Sequence, residues 1–184
     1  MVSILCGKTA SGKSTIANKL VEEYGFNRVI TYTTRPIRKG EKQDVDYHFI
    51  NLEEFNKKVQ NGFFAEWKSY STIDGVWFYG TALEDLDNAD DDTVIILTPN
   101  GYRDVVNKMK NKPKCIYIYA NNETIKKRLI ERGDDEKEAC RRLEHDNEDF
   151  KDFEYEANKI FYNNDGTNIN TVVERVLNFV RWFY

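Results

Sequence analysis

Proline and histidine are scarce in this 184-residue chain, with three and two residues. With so little proline and no low-complexity tract or internal repeat, nothing marks a linker. The length suits one domain large enough to bury a core. Cysteine is also sparse. Cys6, Cys115 and Cys140 are odd in number and form no CxxC or Cys/His zinc spacing, which excludes a disulfide framework and a zinc module. Cys6 and Cys115 sit in apolar runs and read as buried thiols, which suits the cytoplasm. The two histidines, His48 and His145, suggest no metal site. No apolar run approaches the ~20 residues of a membrane-spanning helix, and a glycine motif beginning at Gly7 is expected to leave no room for a signal peptide. Nor is there an excess of positive charge. Twenty-seven Lys and Arg face 31 Asp and Glu, a net charge of −4, which argues against general nucleic-acid binding while allowing a local basic patch for a small anion.

Glycine is better placed than it is abundant. Gly7-Lys8-Thr9-Ala10-Ser11-Gly12-Lys13-Ser14 fits G-x-x-x-x-G-K-[ST], the phosphate-cradling P-loop. Residues 2–6 before it read as a buried strand. Residues 15–24 after it, starting at Thr15, carry Ile16, Leu20 and Val21 at helical spacing. Gly7 and Gly12 let the backbone wrap an anion, and successive N–H groups at a helix start point at phosphate oxygens. Lys13 would then reach the β- and γ-phosphates of a bound nucleotide, and the Ser14 hydroxyl would ligate Mg²⁺.

Along the rest of the chain, residues 28–34 look extended, 35–41 form a basic turn, and 46–50 resume a strand. Asn51 is a candidate N-cap for a helix bearing Leu52, Phe55 and Val59. Residues 63–70 and 76–80 read as strands around a turn at Asp74-Gly75, with a short helical turn over 82–86. Strands are expected at 93–97, 114–119 and 159–162, and helices at 101–110, 123–131, 136 to about 157, and 167–183. Strands alternating with helices imply an α/β fold, a P-loop NTPase three-layer arrangement with a parallel central sheet and ligands at the strands' carboxyl ends.

Thr33-Thr34-Arg35-Pro36-x-Arg38-x-Gly40-Glu41 followed by Asp46-Tyr47-x-Phe49 adds a second site. Two guanidinium groups three residues apart on a turn can clamp a phosphate dianion, and Tyr47 adds a hydroxyl. This segment resembles the nucleoside-monophosphate-binding segment of guanylate kinases. The resemblance runs through most of the chain: Phe64-Ala65-Glu66-Trp67 with Phe78-Tyr79-Gly80-Thr81, then Arg128-Leu129-x-x-Arg132-Gly133, then Arg142-Leu143. It implies a core over about 1–30, 93–131 and 158–184, a small NMP-binding region over about 31–88, and a helical lid over about 132–157. It implies transfer from ATP, with Mg²⁺, to GMP or dGMP in a single cytoplasmic domain, a monomer or homodimer that binds neither nucleic acid nor membrane. Glu66 would accept from guanine N1–H and the exocyclic amino group, Thr31 and Thr81 would touch the base, and Tyr79 the phosphate. Arg128, Arg132 and Arg142 would converge on the transferring group, and Asn163 would lie at the adenine of ATP. A carboxylate, being acceptor-only, suits guanine's two adjacent donors and disfavours adenine.

Three features depart from the family pattern. Thr98-Pro99-Asn100-Gly101 replaces an acidic strand end, leaving Asn100 where a charged guanine reader is expected. Residues 69–74 look inserted, and the lid is one residue short. Two other readings stay open: a same-fold kinase with another acceptor, such as a different nucleoside monophosphate or a ribose bisphosphate, and a non-catalytic interaction module. The intact Lys13 and Ser14 weigh against the module, and the Arg35, Arg38 and Tyr47 cluster against the ribose bisphosphate.

Overall fold

The computed structural model describes residues 2–38, 40–72, 75–109 and 111–182. Strand β1 (Ser3–Cys6) is buried at all four positions. It lies mid-sheet with β2 (Asn27–Arg28), β7 (Thr93–Ile96), β8 (Lys114–Tyr119) and β9 (Lys159–Tyr162), in the order β2-β7-β1-β8-β9. All pairings are parallel. Parallel neighbours need crossovers. These are helical and include α1 (Lys13–Tyr24), α4 (Pro99–Val106), α5 (Asn122–Arg132) and α6 (Glu136–Asp149), while α7 (Ile169–Trp182) follows β9.

Side chains alternate between two buried layers. Leu5, Val94, Ile116 and Ile118 pack with Ile16 and Leu20 of α1 and Val172 and Val176 of α7. Ile4, Cys6, Ile95 and Tyr117 face the other way, onto Leu86, Val105, Phe150 and Phe153. Fully burying each such aliphatic side chain is worth roughly 1.5–3 kcal/mol. That double burial is why the central strands read as unbroken apolar runs. Cys6 and Cys115 are buried free thiols, and Cys140 is exposed. Among the described residues no helix is long and apolar enough to cross a membrane.

The chain leaves this sheet after β2 to build a second, mixed one. It contains β3 (Tyr32–Thr33), β4 (His48–Phe49), β5 (Phe64–Thr72) and β6 (Gly75–Ala82), in the order β4-β3-β6-β5, with α2 (Leu52–Gln60) and α3 (Leu83–Asp87) beside it. Residues 28–34, expected as one extended segment, therefore divide between two sheets. Asn51 caps α2, accepting from Glu54 N–H at 2.8 Å.

Two helix expectations need correction. The helix expected over 101–110 spans Pro99–Val106, because Thr98 caps it and Pro99 starts it. The helix expected to reach about residue 157 stops at Asp149. Phe150 stacks on Tyr117 with ring centroids 5.3 Å apart, and Phe153 is fully buried. Anchoring both rings turns the chain through Asp152 (φ 61) into a 3₁₀ turn at Phe153–Tyr155. Asp74 of the expected turn, with Lys39, Lys110 and Phe183 of other expected segments, lies outside the described residues.

Candidate active site

The end of β1 delivers the glycine loop to the sheet's carboxyl edge. A Cβ on Gly7 would sit 2.5 Å from the Ile118 carbonyl oxygen, and one on Gly12 (φ +102) 2.4 Å from Asn163 Nδ2, so both positions require glycine. Ala10 holds a left-handed conformation (φ 51) that costs a residue with a Cβ roughly 1–2 kcal/mol. Its carbonyl accepts from Arg128 Nη1 at 3.1 Å, while Arg128 Nη2 donates to the Asn163 carbonyl at 3.0 Å. The buried Asn163 amide donates to the Ser11 carbonyl at 2.8 Å. Arg128 and Asn163, expected at the transferring phosphoryl group and at adenine, bond carbonyls of the loop in this structure. The Lys13 ammonium donates to the Lys8 carbonyl at 2.7 Å, and burial lowers its pKa to about 8. Ser14 and Thr15 are exposed in the first turn of α1.

Helix α6 reaches the same loop. The Thr9 N–H donates to Asp146 Oδ2 at 2.5 Å, and Lys8 Nζ donates to Asn147 Oδ1 at 2.5 Å. Burial pushes the Asp146 carboxyl up, opposed by the Thr9 bond and the Lys13 charge.

From the loop a cavity of about 590 Å³ extends to the hairpin of β5 and β6. Strand β5 supplies much of its wall, Ser69 and Ser71 included. Glu66, Lys68, Tyr70 and Thr72 share one face of β5, and Tyr79 and Trp77 pair with Lys68 and Tyr70 across it. Glu66 is 7% exposed. It accepts from the fully buried Thr81 hydroxyl at 2.6 Å through Oε1, and Oε2 lies 3.4 Å from where a Gly101 Cβ would stand. Burial raises the Glu66 pKa, and the Thr81 bond opposes this. Lys68 pairs with Asp104 at 2.7 Å and Lys108 donates to the Ala65 carbonyl, docking the hairpin on α4. Thr31, Arg38, Tyr47 and Thr98 also line the cavity.

Other expected site residues sit elsewhere. Asn100 is exposed on α4 and accepts from Arg103 at 2.8 Å; Thr98 takes the wall position instead. Arg35 is 5% exposed. It forks onto Glu41 at 2.8 and 2.9 Å, with the Tyr47 and Phe49 rings over its guanidinium, so it shapes the turn behind the cavity rather than clamping from it. Nor do the three arginines converge. Arg132 pairs with Asp134, and Arg142 bonds Glu138 at 2.8 Å and lies 3.6 Å from Asp134, although Arg142 does reach the cavity.

The wall residues Lys68, Tyr70, Thr72 and Trp77, and Arg141, His145 and Asp146 of α6, were not anticipated. Their spacing carries a signal. Positions 66, 68, 70 and 72 follow the strand period from Glu66, and Asp146 lies one helical i,i+4 step from Arg142.

A phosphate-cradling loop between a central parallel strand and a helix, open to a second polar wall across one cavity, defines a P-loop nucleotide-binding α/β protein. The family model described as Guanylate kinase matches residues 2–180, and the chain belongs to that family. A guanylate kinase of Campylobacter jejuni (strain RM1221) is 36% identical over 140 residues, covering 73% of this chain and 66% of the relative. The match therefore spans just under two thirds of that relative's length. One from Fusobacterium nucleatum is 31% identical over 168 residues, covering 88% and 87%. A crystal structure of guanylate kinase from Anaplasma phagocytophilum aligns with a TM-score of 0.71 at 24% identity, covering 98% of this chain and 84% of that one, a likeness of fold.

Among the described residues no three His, Cys, Asp or Glu side chains cluster to hold a metal. The exposed Ser14 hydroxyl at the loop's end is an oxygen donor that fits a cation arriving with a triphosphate.

Proposed function

We propose that this chain transfers the γ-phosphoryl group of ATP to GMP or dGMP, giving ADP and GDP or dGDP, as a cytoplasmic monomer or homodimer. One observation carries the proposal: Gly7, Thr9 and Lys13 of the loop share a single cavity with Glu66, Arg38, Tyr47 and Tyr79. Family membership supports it. Residues 7–15 hold the donor phosphates through backbone N–H groups, the Lys13 ammonium and the start of α1. Mg²⁺, when bound with ATP, neutralises β- and γ-oxygen charge, and Ser14 would hold it. Glu66, steadied by Thr81, accepts from guanine N1–H and the exocyclic amino group, and Thr31 contacts the base. Arg38, Tyr47 and Tyr79 hold the acceptor phosphate, with Arg35 supporting the turn. An acceptor phosphate oxygen attacks without a general base, so the protein's task is positioning and charge stabilisation. Region 31–88 serves as the acceptor-binding part. Region 132–157 serves as a lid whose Arg132 and Arg142 exchange their carboxylate partners for phosphate on closure.

A coupled assay with ATP and Mg²⁺ against GMP, dGMP, AMP, dTMP and a ribose bisphosphate tests this. GMP and dGMP should give the highest kcat/KM. Turnover of AMP or a ribose bisphosphate above GMP refutes the acceptor, and no turnover of any acceptor refutes the enzyme.

A further inference from the structure

The Asp146 carboxylate occupies hydrogen-bonding ground that a nucleotide phosphate would need. It comes from α6, 137 residues along the chain from the loop, and takes the Thr9 N–H at 2.5 Å. Asn147 takes Lys8 Nζ in parallel, and the Lys13 ammonium turns back to the Lys8 carbonyl. Asp146 lines the same cavity as Gly7, Thr9 and Lys13. An anion is what a run of loop N–H groups at a helix start attracts. An aspartate carboxylate offers the same charge-assisted bond as one phosphate oxygen.

We propose that Asp146 is an internal competitor for the phosphate loop, a residue that sets donor affinity by standing where the triphosphate must bind and leaving when it does. Its charge also acts on the part-buried Lys13 ammonium. Arrival of a triphosphate replaces one anion by a larger one and expels Asp146, because two anions cannot share the Thr9 N–H. Arg141 and Arg142, also on α6 and also lining the cavity, move with the helix that Asp146 anchors. Loop occupancy and lid position are thereby coupled through one side chain. This inference rests on the proposed donor site and extends it by naming what ATP displaces.

The test is equilibrium binding without acceptor, by calorimetry, of ATP and of inorganic tripolyphosphate, each with and without Mg²⁺. Wild type is compared with Asp146→Ala and the isosteric Asp146→Asn, with thermal melts confirming the fold; should the Ala variant melt early, the Asn variant decides. Removing the competing charge should tighten both ligands by on the order of tenfold, about the worth of one charge-assisted hydrogen bond. Adenosine, lacking phosphate, should bind all three proteins alike. Unchanged or weaker binding of ATP and tripolyphosphate by both variants overturns the role of Asp146 while leaving the donor site standing. Failure of wild type and variants alike to bind either ligand overturns the donor site as well.

Discussion

Replacing Glu66 by Gln probes base choice at the point where geometry is tightest. Glu66 Oε1 is already committed to the Thr81 hydroxyl at 2.6 Å, so Oε2 is the oxygen free to meet a second donor. The substitution exchanges one acceptor for an N–H₂ group and removes the charge. If the amide oxygen stays on Thr81, the new amino group faces the donors of guanine. The loss is then a charge-assisted bond of about 1.5–3 kcal/mol. At 1.4 kcal/mol per tenfold, a central value of about 2–3 kcal/mol raises the GMP KM roughly 30- to 150-fold. ATP affinity should not move. Protonation should imitate the substitution. Burial raises the Glu66 pKa above the ordinary 4.5, so the fold favours the neutral acid. The charged form therefore costs stability above that raised pKa, and the cost is relieved as pH falls through it. GMP affinity changes in the opposite sense, weakening as pH falls from above the raised value because the acceptor is lost. Steady-state kinetics of both proteins with GMP and AMP between pH 5 and 8 (roughly the span of ordinary protein stability) would show this, and Glu66→Gln should lack the acidic limb. An unchanged GMP KM in the variant, or the same acidic limb in both proteins, refutes Glu66 as the guanine reader.

Lys13→Ala should cut turnover by on the order of 10³-fold while the chain stays folded. Because the Lys13 pKa is lowered to about 8 from 10.5, the partly buried cation costs stability below pH 8, and that cost fades between 8 and 10.5. The variant's melting temperature should thus lack the wild-type rise over that interval. Arg38→Ala should raise the acceptor KM about tenfold or more with ATP binding unchanged; equal losses for both substrates would contradict two separate phosphate sites. Tyr70→Phe removes a hydroxyl, its pKa pushed up by burial to about 12, from the wall beside Thr98. A few-fold rise in GMP KM at constant kcat is expected, and none if the phenol only packs. Hydrogen exchange over residues 132–137 should slow with a bisubstrate analogue bound, and unchanged exchange there would argue against lid closure.

The glycine loop and the alternation of strands and helices were legible in the sequence because both are local. Fixed residues at fixed spacing specify the turn at Gly7 and Gly12, and period and burial specify β1, β7 and β8. What was hidden depends on contacts far apart in the chain. Nothing near residue 150 says that Phe150 and Phe153 must turn inward onto Tyr117, which ends α6 early. Asn100 stands where a reader is expected, yet Thr98 and Pro99 start a helix that carries it outward to Arg103.

The arginines make the general point about charge. Spacing shows that a guanidinium is present, but not which anion holds it when phosphate is absent. Several of the guanidinium and N–H groups in and beside the cavity are met by an acid, often from their own segment. Glu41 holds Arg35, Asp134 holds Arg132, and Asp146 holds the Thr9 N–H. Glu138 bonds both Arg141 and Arg142, and those bonds keep its carboxyl down at about 2. These acids contribute to the small net negative charge of a protein whose proposed substrates are themselves polyanions. Positive groups left unpaired in a cavity would repel one another and lose order. Paired with carboxylates they stay ordered, at the cost that a phosphate bound at Thr9, Arg132 or Arg142 must first displace a carboxylate. In the proposed mechanism affinity at those positions is set by the difference between two anions, and the internal acid is as much a determinant of binding as the group it holds.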